Sequence, residues 1–133
     1  MTSISVKTGI TYRGENRSWL QSPHGTDPNA NPNVTLDVSL FTEATHYPDG
    51  FVPSGMVLGR VTATKRYGPY DPAATDGRET AAGHLFSSLV VKGESRVGGA
   101  LVVHGFVDAS KLPANSGLDS AARAELSHIV YTN

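Results

Sequence analysis

Cysteine is absent from the 133 residues. That excludes a disulfide framework, a thiolate zinc site, an iron–sulfur cluster and a thiol nucleophile. No apolar run approaches the roughly 18 residues of a membrane-spanning helix. Met1–Lys7 has no apolar stretch of the kind a secretory signal carries. Neither sign of charge is in excess: 11 Lys and Arg stand against 12 Asp and Glu, for a net charge of −1. Direct nucleic-acid binding, which draws on a basic surface, is therefore not expected. Charge is scarce altogether, at 17% of residues, where globular chains usually carry about 25%. The length suits a single domain, one that buries roughly two thirds of its unfolded surface.

What the chain has instead is turn chemistry. Gly (14) and Pro (8) make up about a sixth of it, against roughly 12% on average. Between the turns, strands dominate. Ile4, Val6, Ile10 and Tyr12 fall on even positions and Ser3, Ser5, Lys7 and Thr11 on odd ones, so residues 2–12 read as an amphipathic strand. Residues 13–33 hold several Gly, Pro and Asn residues, with Trp19-Leu20 as the one apolar anchor. They read as an irregular tether, which makes residues 1–33 an extended N-terminal arm. Val34, Leu36, Val38 and Leu40 alternate and open the body, residues 34–133. Pro48-Asp49-Gly50 fits a type I turn. Strands are expected over 56–63, 81–91 and 100–107, the last apolar on both faces, with a long loop over 65–80 and a turn over 92–99. Asp119 is placed to cap one short helix, whose face would carry Leu118, Ala122, Leu126 and Ile129. Ile129–Tyr131 closes the chain as a short strand.

Motifs of chemistry fail on spacing. Asp27-Pro-Asn29-Ala-Asn31-Pro-Asn33 begins like a calcium loop but has Pro32 and Val38 where the loop needs Gly and Glu. Gly93-Glu-Ser95-Arg-Val-Gly98 is one residue too long for a nucleophile elbow and reads as a β-turn. Gly55–Gly59 lacks the spacing and the Lys of a phosphate loop, and Gly59 within a strand marks a bulge or a close backbone approach. No two of His24, His46, His84, His104 and His128 stand at chelating spacing, so no metal site is expected, and His84 and His104 read as hydrogen-bonded structural residues within strands. Asp71, Asp76 and Glu79 cluster in the long loop, where such residues cap their own backbone. No catalytic residue, enzyme activity, cofactor or metal is assigned.

From about Leu36 to Val130 the chain resembles the phage head decoration proteins of the lambda D family. The residues that carry this are Pro53-Ser-Gly-Met-Val-Leu-Gly-Arg-Val61, Tyr67-Gly-Pro-Tyr-Asp71 with Asp76-Gly-Arg-Glu-Thr-Ala-Ala-Gly83, Val97-Gly-Gly-Ala-Leu-Val-Val103, and Lys111-Leu-Pro113 with Gly117-Leu-Asp-Ser-Ala-Ala-Arg123. The resemblance implies a mostly β fold: a compact β-tulip or β-clip-like barrel with an extended N-terminal arm and one short C-terminal helix. It also implies a non-enzymatic protein on the outer surface of the virion capsid. Homotrimers would sit at three-fold and quasi-three-fold positions of the expanded head and hold neighbouring major capsid protein subunits against DNA pressure. Strand addition by the arm to a capsid strand edge fits the alternation of residues 2–12, with Ile4, Val6, Ile10, Tyr12 and Trp19 as the candidate capsid-binding residues. A competing reading is a virion surface β module that stacks a carbohydrate or small ligand on Trp19, Tyr67 and Tyr70.

Overall fold

A computed structural model describes residues 16–26 and 31–133. The strand expected over 2–12, with Ile4, Val6, Ile10 and Tyr12, lies outside these residues, as does the calcium-like run between 27 and 30. Among the described residues nine strands follow in chain order: Asn33–Asp37 (β1), Phe51–Val52 (β2), Val57–Arg60 (β3), Tyr67–Pro69 (β4), Ala81–Leu85 (β5), Leu89–Val90 (β6), Arg96–Val102 (β7), Gly105–Val107 (β8) and Ile129–Tyr131 (β9). Two short helices, Glu43–His46 (α1) and Ser120–Glu125 (α2), are interspersed among them.

Five of these strands close a barrel in the order β1-β4-β3-β5-β7. β1 pairs antiparallel with β7 from Asn33↔Ala100 to Asp37↔Arg96, and parallel with β4 at Leu36↔Tyr67. The alternation read in the sequence sets this register: Val34 and Leu36 point inward and are buried, while Asn33 and Thr35 are exposed. The barrel interior gathers Val34, Leu36, Leu58, Leu85 and Leu101, with Val38, Phe41, Val52, Met56 and Val91 closing it.

A second apolar cluster lies outside the barrel wall. It holds Trp19, Val57, Tyr70, Ala81, Val102, Val107, Ala122, Leu126 and Ile129. Neighbours on one strand thus serve different cores: Leu58 faces in and Val57 out, Leu101 in and Val102 out. This double burial explains why the chain around Leu101 is apolar on both faces.

Several expected elements are subdivided. The strand expected over 56–63 is Val57–Arg60, and its Gly59 does both things the sequence suggests: the β3–β5 register shifts between Leu58 and Gly59, and a Cβ there would stand 2.7 Å from the Arg78 backbone. The long loop over 65–80 contains β4, in which a Cβ on Gly68 would stand 2.8 Å from Leu40. The strand expected over 81–91 breaks at Phe86–Ser88, because β5 belongs to the barrel while β6 pairs with β2. The turn expected over 92–99 is shorter, since Arg96–Gly99 pair with β1. The strand expected over 100–107 divides into the end of β7 and β8, so His104 lies between strands rather than in one. The Pro48–Gly50 turn is present, with the Gly50 amide donating to the Tyr47 carbonyl at 2.9 Å. Asp119 caps α2 as expected, accepting from the Ala122 amide at 2.8 Å. The one-turn α1 has no counterpart in the sequence pattern.

Candidate functional site

The segment expected to be a free tether is, over residues 16–26, part of the folded body. Trp19 is fully buried in the second cluster. Its Nε1 donates to Ser54 Oγ at 3.1 Å, and Ser54 Oγ donates onward to the Phe86 carbonyl at 2.8 Å. The indole stacks on His84, with ring centroids 5.5 Å apart. On either side the backbone is tied down. The Asp108 amide donates to the Trp19 carbonyl at 2.7 Å, and the Gln21 amide donates to the Phe106 carbonyl at 3.0 Å. Arg17 Nε donates to the Phe86 carbonyl at 2.9 Å, and the guanidinium lies over the Phe86 ring. Residues 19–21 therefore form a third strand-like edge beside β8, with a bridge at Leu20↔Val107. A groove of about 330 Å³ separates this edge from Phe86, lined also by Pro23 and Thr26.

His84 is the buried polar centre beneath this strap. Its Nδ1 donates to the Gly55 carbonyl at 2.7 Å, so Nε2 is the acceptor for the Tyr131 hydroxyl, also at 2.7 Å. Burial disfavours the imidazolium and pushes its pKa down to about 4. Burial likewise raises the Tyr131 phenol. Gly55 has φ +99, and a Cβ there would stand 2.9 Å from Pro113 and 3.0 Å from the Trp19 indole nitrogen. One neutral imidazole thus joins the strap, the 53–55 turn and β9. His84 is legible in the sequence as a hydrogen-bonded structural residue; its partners Gly55 and Tyr131 are not, because they lie 29 and 47 residues away.

The chemistry-bearing residues of the long loop serve their own backbone. Asp71 Oδ1 accepts from the Ala73 amide at 2.9 Å, Asp76 Oδ1 from the Arg78 amide at 3.1 Å, and Glu79 Oε1 from the Gly77 amide at 2.8 Å. Tyr70 donates to Asp119, and burial raises its phenol to about 12. The stacking platform of Trp19, Tyr67 and Tyr70 does not form: Trp19 and Tyr70 are buried and Tyr67 is half-buried against the barrel core. Among the described residues no group of three or more His, Cys, Asp or Glu is placed to hold a metal ion. No helix among them is long and apolar enough to cross a membrane.

What the surface does offer is apolar contact. Phe106 (39% exposed) and Val130 (53%) stand opposite each other on β8 and β9, and Val90 (58%) stands on β6.

The family model for bacteriophage lambda head decoration protein D matches residues 29–129. The chain belongs to this family. None of the curated proteins compared with it matches. Family membership makes it a phage head decoration protein, one of a structural family, bound to the capsid of the virion. The match covers the barrel, α2 and β8, and leaves the Trp19 strap outside it.

Proposed function

We propose that the protein binds the outer surface of the expanded phage head as a homotrimer, at three-fold and quasi-three-fold sites, and holds neighbouring major capsid protein subunits against the pressure of packaged DNA. The observation that carries this reading is the family match over residues 29–129. The buried Trp19 supports a specific division of labour. Trp19 is the fixed root of the arm and not one of its contacts, so the capsid-binding role falls to Ile4, Val6, Ile10 and Tyr12 alone. Residues 1–15 stand upstream of that root, and fifteen residues reach at most about 50 Å when extended. Added to a strand edge of the major capsid protein, residues 2–12 would contribute main-chain hydrogen bonds for affinity and alternate side chains for register. Ordering one such arm costs several kcal/mol, so a single arm binds modestly, and three on one trimer gain by avidity.

Co-sedimentation of the full chain with expanded, undecorated heads tests the reading, with unexpanded procapsids as control. Saturable binding to expanded heads alone, at three copies per three-fold site, is the expected result. Binding to neither form, or to both equally, overturns it.

A further inference from the structure

We propose that His24 and His104 together bind a single divalent ion of the zinc, nickel and copper class, with water completing its coordination. The two histidines do not stand at chelating spacing in the sequence. The fold brings their rings together, with centroids 5.3 Å apart and planes inclined at 68°. An ion held about 2.1 Å from one nitrogen of each imidazole, at the angles of tetrahedral coordination, sets ring centroids about 5 Å apart. Among the described residues neither ring has a hydrogen-bond partner, so no protein group competes there for their nitrogens. His84 and His46 differ, since each spends a ring nitrogen on a backbone partner. His24 is exposed and His104 half-buried, which leaves the pair open to an ion from solvent and to its waters.

Backbone geometry holds the pair ready. Each histidine precedes a glycine of positive φ, Gly25 (φ +83) and Gly105 (φ +143), and each glycine packs against the other histidine's carbonyl. A Cβ on Gly25 would overlap the His104 carbonyl, and one on Gly105 would stand 2.9 Å from the His24 carbonyl. Only glycine lets the two segments cross so closely. Residues 23–26 form a turn closed by the Thr26 amide, which donates to the Pro23 carbonyl at 3.1 Å. Gly25 takes the third position of that turn, where a type II turn requires positive φ. His104 is fixed from the other side, between β7 and β8. Both side chains thus depart from backbones already in contact, and an ion has only side-chain rotamers to order.

Ligand type decides the ion. Neutral imidazole suits zinc, nickel and copper, whereas magnesium and calcium take oxygen ligands. Among the described residues no group of three or more His, Cys, Asp or Glu is placed to hold a metal, so the protein supplies two ligands and the affinity is modest. The consequence is mechanical. His24 belongs to the strap that buries Trp19, and His104 to the connection between β7 and β8. An ion shared by them ties the strap to the body. The unfolded chain does not hold the two rings together, so binding adds to stability.

The test uses untagged full-length protein, freed of metal with a chelator and titrated with nickel chloride. Histidine ring resonances are followed by NMR, and denaturant midpoints are measured with and without the ion. The expected result is one ion per chain and selective broadening of the His24 and His104 rings. The folding equilibrium constant should rise about a hundredfold at a free ion concentration a hundred times the dissociation constant. His24→Ala and His104→Ala should each abolish the rise, His128→Ala should keep it, and magnesium chloride should produce none. No rise, an equal rise in His24→Ala, equal broadening of the His46 and His128 rings, or an equal rise with magnesium overturns the proposal. Should His104→Ala fold poorly, His24→Ala decides alone, because it removes an exposed side chain. None of these outcomes depends on whether the protein binds heads.

Discussion

The barrel interior and the apolar cluster on its outer wall share strands but draw on different parts of the chain. The interior is filled from strands β1, β3, β5 and β7 together with the segments beside them, all between Val34 and Leu101. The outer cluster takes one face of the same strands and covers it with the two ends of the described chain: Trp19 from one, and Ala122, Leu126 and Ile129 from the other. The interior makes the fold. The outer cluster ties down the segment around Trp19, from which the proposed arm departs.

Trp19→Ala breaks this comparison most severely. Deleting a fully buried indole costs about 4 kcal/mol, and here also leaves Ser54 without its donor. In native-state hydrogen exchange, the amides of residues 19–21, β8 and β9 should lose protection while those around Leu58 and Leu101 retain it. Equal loss in both regions would mean that the two clusters are one cooperative unit. Leu58→Ala, inside the barrel, costs about 3 kcal/mol and is expected to lower protection everywhere.

Acid sharpens the contrast, because His84 belongs to the outer cluster's support. Its pKa is about 4 when folded against an ordinary value of 6.5. Between those values the unfolded chain binds a proton that the folded one does not, so stability is fully present above about pH 6.5 and is lost as pH falls towards 4. Below pH 4 both states are protonated and this group adds no further slope. The loss amounts to about 3 kcal/mol at most. Burial lowers the His46 pKa as well, so part of the slope in this window is its own. Asp37, Asp76 and Asp108 have lowered pKa values, which place their losses at more acidic pH. Denaturant midpoints of the unaltered protein and His84→Gln, compared from pH 7 to pH 4, should therefore converge as pH falls; parallel curves would contradict the assignment.

The smallest expected effect is at the cap of α2. Asp119→Ala removes the acceptor for the Ala122 amide and for the Tyr70 hydroxyl and should cost about 1 kcal/mol in thermal unfolding. No measurable change would show that the cap contributes nothing to the outer cluster.

The same division governs what the sequence can tell. The alternation of Val34 and Leu36, the bulge at Gly59, the turn at Pro48–Gly50 and the cap at Asp119 are local signals, and each appears in the fold where its residues stand. β4 is hidden because Tyr-Gly-Pro has the composition of a turn and becomes a strand only by pairing with β1 and β3. The burial of Trp19 is hidden for a related reason. Leu20 apart, its neighbours in sequence are polar and turn-forming, and its partners Ser54 and His84 are brought to it by the barrel. The apolar pair Phe106 and Val130 is equally invisible, since only the parallel pairing of β8 with β9 puts them side by side.

The central claim is that a body closed at Trp19 presents an upstream arm that grips the head. Deleting residues 2–12 tests it most directly, by co-sedimentation with expanded heads alongside thermal unfolding of the shortened protein. The account predicts an unchanged unfolding transition and loss of head binding. Full-strength binding by the shortened protein would contradict it.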